Sequence, residues 1–457
     1  MPAADPCLHQ GGATVPTPPI ADKSAAQVRP ADAASKPSLR PDVANCDTQS
    51  TDSSRPRVPA EIVGGRFEIH GKIGSGSYSD VHLGFDRVNG DEVAIKFEWS
   101  KAEKKGKVLA EAKLCQCFQP RASRAFTPLV RWFGTDGEYD IMVMDVLGPS
   151  LQDLLEDCGG TFSLRTALML GLQMVDLLEY VHSFNIIHRD IKPHNFLVGV
   201  GQFRDQVYIV DFGLSKRYVD PETGEHTPFN DTRRGLTGTV RYTTKNIHRG
   251  IEPARRDDLG SVGYVIMHFL LGELPWQGIH AKSKKTKQRR IGRKKERVTH
   301  RELCDGFPEE LARFLEYCEA LAYDQKPNYD LLRSLLRTSL EREVAAFVGA
   351  AVAGGAPPTL AEHAARTFDW LLPPGQRAPQ RKRPKTPAVP QGQKKRKVVA
   401  GDEASLVSGA AAVGQDKPES VVMEEVGADD EEETEEVESS EYASEEYEEE
   451  EEEEEDE

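Results

Sequence analysis

The run His188-Arg189-Asp190-Ile191-Lys192-Pro193-His194-Asn195-Phe196-Leu197, followed after a short hairpin by Asp211-Phe212-Gly213, constrains this chain more than any other feature. Moving a γ-phosphoryl group takes little covalent chemistry but much positioning and charge neutralisation. The spacing supplies both. Asp190 is placed to accept a hydrogen bond from an attacking hydroxyl. Asn195, five residues on, and Asp211, beyond the strand Val207 to Val210, are two hard oxygen ligands suited to Mg²⁺. Lys192 adds positive charge where negative charge develops on the transferred group. The three residues His-Arg-Asp recur by chance in long chains, whereas HRDxxxxN followed by a strand and DFG is a specific signal.

The stretch before this centre reads as a nucleotide site. Gly65 to Phe97 holds three strands, RFEIHGKIG, DVHLGFD and EVAIKF, with alternation in the second and a β-branched run in the third. The first turn between them, Gly74-Ser75-Gly76-Ser77-Tyr78-Ser79-Asp80-Val81, lets backbone N–H groups approach phosphate oxygens where side chains are absent. On its own such a turn is weak. It gains meaning from Lys96 in Val93-Ala94-Ile95-Lys96, fifteen residues after Val81. Lys96 is expected to grip the α- and β-phosphates with Glu111, on the helical stretch KVLAEAKLCQCF, as its carboxylate partner. The competing reading of Glu111 is a solvated helix-face acid. Ile73, Gly74, Ser75, Gly76, Val81 and Ala94 complete the expected nucleotide contacts of the sheet. In YDIMVMDVLGPS, Met144 would border the adenine pocket, and Asp145 to Leu147 would offer backbone bonds to the purine. Half of that stretch is plain core strand on either reading.

Beyond the hinge, Ser163 is placed to N-cap a helix carrying Leu164, Leu168, Leu172, Val175 and Leu178 at helical spacing. After DFG comes a polar, turn-rich loop, residues 216–236, and then GTVRYTTKN. Thr239 is expected to bond both Asp190 and Lys192, a contact suited to Ser/Thr rather than Tyr acceptors. Asp258 opens the apolar helix RRDDLGSVGYVIMHFLLGELPW, either as a simple cap or as an acceptor for catalytic-loop N–H groups.

Composition sets the boundaries. Residues 1–63 are rich in Pro, Ala, Ser and Asp without an apolar period, so they are expected to stay disordered. No signal-peptide h-region is visible, and the apolar run 344–356 is short of the roughly 20 residues that span a bilayer. The chain is expected to be a soluble monomer without a membrane. Seven cysteines, lacking paired metal-ligand spacing, point to free thiols in a reducing compartment. Cys115 and Cys117 face different sides of a helix and suit ordinary packing rather than a shared metal. The net charge of −17 hides an asymmetry: residues 401–457 carry 27 acidic residues against one Lys, leaving a body of +9.

These residues resemble the protein kinase superfamily and, within it, casein kinase I, over roughly residues 64–372. LGPSLQDLL, HRDIKPHNFLVGVG, VDFGLSKRY, LTGTVRY, GIEPARRDDLGSVGYV and LPWQG are similar to that family's own signatures. Thr244-Lys245-Asn246 stands where other kinases carry Ala-Pro-Glu. The resemblance implies an α+β, two-lobed kinase fold with a β-rich N-lobe and a helical C-lobe, and ATP with Mg²⁺ between them. It also implies transfer to Ser or Thr with acidic or phosphorylated residues on the N-terminal side, read by an anion site at Arg241, Gly278 and Lys287. The nine Lys/Arg of the loop 282–295 agree independently, since they would attract acidic peptides. A solvated loop is the bland alternative, and the expected one for Lys285, Arg289 and Arg290.

The chain departs from the family pattern in four places. Ser79 replaces the third loop glycine, at an expected cost of about 1–2 kcal/mol if that backbone is left-handed. His194 replaces an Asp, Asp145 replaces a hinge Glu, and an Ala/Gly-rich insertion occupies 343–365 ahead of a terminal Phe368-Asp369-Trp370. Residues 373–400 form a basic linker whose clusters at 381–385 and 394–397 suit importin recognition. That predicts a nuclear as well as a cytoplasmic pool. No aromatic residues interleave there for stacking on bases. The disordered acidic tail 401–457 is expected to restrain the enzyme by occupying its basic groove, or else to keep a basic protein soluble or bind histones or other basic proteins.

Overall fold

Alternation in the first third of the chain builds a twisted antiparallel sheet. The computed structural model describes residues 62–75, 79–99, 106–118, 126–229 and 235–373. Gly76, most of the N-terminal extension, the basic linker clusters and the acidic tail lie outside them. The sheet order is β1-β2-β3-β4-β6-β5, formed by β1 (Ile62–Val63), β2 (Phe67–Ser75), β3 (Ser79–Asp86), β4 (Glu92–Trp99), then α1 (Lys107–Phe118), β5 (Val130–Asp136) and β6 (Tyr139–Asp145). The expected domain start at residue 64 misses β1, which pairs with Phe67 and Glu68 and is too short to leave a periodic trace. Val93, Ile95 and Phe97 of β4 pack one face against Tyr139, Ile141 and Val143 of β6. Ala94 and Lys96 then face the other way, into the cleft. Buried Glu98, also on β4, accepts a bond from Val108 N (2.9 Å) and so fixes the start of α1.

Ser79 corrects an expectation. It is a strand residue opposite Glu98, and among the described residues the only non-glycines in the left-handed region are Asn185, Arg189 and Asp211. Ser79 therefore carries no left-handed strain.

The large lobe is helical. It runs from α2 (Leu151–Asp157) and α3 (Leu164–His182) through the short strands β7 (Ile186–Ile187), β8 (Phe196–Val198), β9 (Val207–Ile209) and β10 (Lys216–Arg217). Six helices follow: α4 (Lys245–His248), α5 (Arg255–Leu271), α6 (Lys284–Arg297), α7 (His300–Leu303), α8 (Glu309–Ala320) and α9 (Tyr329–Ala353), with α10 (Pro358–Ala365) behind them. Ser163 caps α3 by accepting from Thr166 N (3.2 Å). Its own N–H and hydroxyl donate to Asp369 at 2.6 and 2.8 Å, so the terminal Phe-Asp-Trp closes onto the start of α3. Residues 343–365, read from the sequence as an insertion, are mostly helical: they continue α9 and supply α10, with the Arg165 guanidinium 3.7 Å from the Phe347 ring centre.

The basic stretch 282–295, expected as a loop, is mostly the helix α6. Ser283 caps it by accepting from Thr286 N (3.1 Å), its last turn holds Lys294, Lys295 and Arg297 beside the negative end of the helix dipole, and Ile291, Gly292 and Lys295 form a buried face. Runs of charge hid this three-residue face. The described cysteines are all free, and burial pushes the Cys304 thiol up to about 12, in keeping with packing rather than reactivity. Among the described residues no helix is long and apolar enough to cross a membrane.

Candidate active site

The hairpin β8/β9 and the turn before it place the catalytic loop on the rigid large lobe. Two buried carboxylates at the start of α5 divide the work there. Asp257 caps the helix by accepting from Ala254 N (2.9 Å), so Asp258 is not the cap. Asp258 accepts instead from His188 N (2.7 Å), Arg189 N (2.9 Å) and the His182 ring (3.0 Å). Burial opposes its charge, but the His182 bond and the other donors hold its carboxyl below the ordinary aspartate value. These bonds stabilise Arg189 in a left-handed conformation (φ 67°). Gly238 is required opposite it, because a Cβ there would lie 2.5 Å from Arg189 O.

Asp190 emerges from that loop with both carboxylate oxygens engaged. Oδ1 accepts from Thr239 Oγ1 (2.7 Å), and Oδ2 accepts from Lys192 Nζ (2.6 Å) and Asn195 Nδ2 (3.3 Å). Asn195 Nδ2 also donates to Asp190 O (2.9 Å). Thr239 was expected to bond Lys192 as well; the two meet only through Asp190. This fixes the Asp190 carboxylate in one orientation, as a positioned acceptor requires.

At the nucleotide end, Lys96 Nζ donates to Glu111 Oε2 (2.6 Å) and Asp211 Oδ1 (3.2 Å). Glu111 is therefore no solvated acid, and its other oxygen accepts from Phe212 N (3.2 Å), a link that sequence spacing did not indicate. Burial works against the Lys96 charge, yet the two carboxylates outweigh it and keep its pKa above the ordinary lysine value. At Glu111 burial is the larger influence and raises the pKa, with Lys96 opposing it. Asp211, at φ 66°, is lowered despite burial, by Lys96 and His188.

One cleft of about 2220 Å³ is lined by Lys96, Glu111, Lys192, Asn195, Asp211 and Thr239; Asp190 itself is buried, 6 % exposed, beside Lys192, Asn195 and Thr239, and is not part of that lining. Ile73, Gly74, Ser75, Val81, Ala94, Met144, Asp145 and Leu147 line its nucleotide end. Asp145 N–H already donates to Leu129 O (3.0 Å) and its carboxylate binds Arg131 (2.7 Å), so its amide is not available to a purine. Leu147 keeps its backbone groups unpaired among the described residues. At the far end the cleft reaches Arg241, Gly278 and Lys287. Lys287 and Arg241 have no ion-pair partner among the described residues. Lys284 also lines the cleft and was missed, while Lys285, Arg289 and Arg290 do not line it.

The donor set fits a nucleotide and a hard cation. Asn195 leaves its amide oxygen, and Asp211 its second carboxylate oxygen, unengaged toward the cleft among the described residues. Those residues contain no cluster of three or more His, Cys, Asp or Glu able to hold a metal. One carboxylate and one amide match a cation that shares its coordination with phosphate and water.

A two-lobed scaffold whose cleft is lined by a Lys–Glu pair, by Asn195 and Asp211, and by the Thr239 and Lys192 that orient buried Asp190 suits phosphoryl transfer. The protein kinase domain family model matches residues 67–340, more than half of the chain. The chain belongs to the protein kinase family, and with it goes the use of ATP and a divalent metal.

Proposed function

We propose that the protein is a serine/threonine kinase of casein kinase I type, which uses ATP with Mg²⁺ and selects acceptors preceded by acidic or phosphorylated residues. Bound nucleotide and metal supply the phosphoryl group and neutralise its oxygens. The chain's own residues do the rest. Asp190 accepts the acceptor hydroxyl's proton, held in line by Thr239 and Lys192. Lys96 holds the phosphates on one side, and Asn195 and Asp211 offer oxygens on the other.

The observation that carries the acid-directed reading is the continuity of one cleft from this centre to Arg241 and Lys287, neither of which has an ion-pair partner among the described residues. Two separated cations suit an anion in place of backbone contacts alone. Arg241→Glu and Lys287→Glu should each raise KM for a Ser peptide with Glu three residues before the acceptor and leave ATP affinity unchanged. Unaltered preference for that Glu in both variants would remove the assignment.

In the same reading, residues 381–397 bind importin and the tail 401–457 competes for the basic groove. Removing the tail tests the second point: kcat/KM for an acidic peptide should rise at low salt, by a factor that shrinks as salt screens the charges. Equal values at low salt would leave solubility, or partner binding to histones or other basic proteins, as the tail's role.

A further inference from the structure

Lys295 is the one cation of the basic helix that does not face solvent; it is 1 % exposed. Its ammonium donates to Val240 O (2.7 Å) and Thr243 O (2.6 Å), and lies 3.1 Å from His248 Nε2. Three donors meet three acceptors. Burial and the Lys295 charge hold His248 far below its ordinary pKa, at about 3, so its ring is neutral and can accept. The faces of Tyr264 and Trp276 lie 5.4 and 5.1 Å from the ammonium, a favourable setting for a cation that has no carboxylate beside it among the described residues. Burial lowers the pKa of Lys295 well below the ordinary lysine value, and the carbonyls and ring faces are the groups here that favour its charged form.

The two carbonyls bracket a turn that carries function on both sides. Thr239, immediately before it, orients Asp190. Arg241, within it, lines the far end of the cleft, and its own carbonyl accepts from Trp276 Nε1 (2.8 Å). Lys287 stands two turns earlier on the same α6 as Lys295. The helix can approach because residue 292 is glycine: a Cβ there would lie 3.0 Å from the His248 ring.

We propose that Lys295 is a positioning residue that clamps the Val240–Thr243 turn onto α6, fixing Arg241 relative to Lys287 and Thr239 relative to Asp190. The substrate side of this inference rests on the acid-directed reading above. One buried ammonium thereby ties recognition of the substrate's anion to the orientation of the catalytic carboxylate.

The test uses the full-length chain, as Lys295→Met and Gly292→Ala. Each is assayed on a Ser peptide with Glu three residues before the acceptor and on the same peptide with Ala there. A nucleotide-analogue titration runs in parallel. A misplacement of about 1 Å costs up to about a hundredfold in rate. Lys295→Met should lower kcat about tenfold on both peptides, raise KM several-fold for the Glu peptide alone, and leave nucleotide affinity within about twofold. Gly292→Ala, which keeps the ammonium but pushes α6 away, should shift the same parameters in the same direction by less. Wild-type kcat and KM in Lys295→Met would overturn the clamp. So would an equal loss of nucleotide affinity in Lys295→Met accompanied by wild-type kinetics in Gly292→Ala, since that marks a merely structural lysine. An unmodified chain that treats the two peptides alike contradicts acid selection instead, and the kcat comparison still decides the clamp's effect on Asp190.

Discussion

Thr239 Oγ1 donates to Asp190 Oδ1 over 2.7 Å, so a residue of the segment that would receive the substrate directly sets the orientation of the Asp190 carboxylate. Replacing the hydroxyl by a methyl of the same shape leaves Asp190 Oδ1 without that donor. Thr239→Val should lower kcat about ten- to a hundredfold with nucleotide affinity unchanged, while Thr239→Ser keeps most of the activity. Steady-state kinetics on one peptide check both, and equal kcat for all three proteins would mean that Lys192 and Asn195 suffice.

Asp258 gives a pH dependence of defined sign. Its folded pKa lies below the ordinary 3.8. Its contribution is therefore present above about pH 4 and disappears as pH falls through the lower folded value. Asp258→Asn should lose about 3 kcal/mol near pH 7. The stability gap to the unmodified chain should narrow below about pH 4, as denaturant titrations at pH 7, 5 and 3.5 would reveal. A gap that widens on acidification would contradict the assignment.

Ser79 supplies a prediction reversed by the structure. A left-handed serine would make Ser79→Gly favourable for nucleotide binding. As a strand residue paired with Glu98, it should instead lose about 0.5–1 kcal/mol of stability on becoming glycine, with ATP KM unaltered. A thermal melt and an ATP titration separate the two, and a lower KM in the glycine variant would restore the strained turn.

The parts of this site that were legible in the sequence are those whose spacing the chemistry fixes. Asp190, Asn195 and Asp211 lie on one loop and one hairpin, so their separation along the chain survives folding. Lys96 and Glu111 were legible as a strand lysine and a helix acid, because β4 and α1 follow each other directly. The roles of Asp257 and Asp258 were not separable. Adjacent carboxylates at a helix start read alike until the loop they meet is in place. Lys295 was hidden for a different reason: one buried lysine among nine basic residues has no signature beyond its one-turn spacing from Ile291. Glu111's second bond, to Phe212 N, spans residues 101 apart and belongs to tertiary structure alone.

The central claim is phosphoryl transfer from ATP to a Ser or Thr hydroxyl through Asp190, Asn195 and Asp211. The most direct measurement incubates the purified full-length chain with labelled ATP, Mg²⁺ and an acidic Ser peptide, beside the same peptide bearing Tyr and beside an Asp211→Ala protein. The account predicts label in the Ser peptide, none above background in the Tyr peptide, and a loss of at least about a hundredfold in Asp211→Ala, since removing a metal-binding carboxylate removes charge neutralisation at the transferred group. Equal label with the unmodified and Asp211→Ala proteins would contradict it.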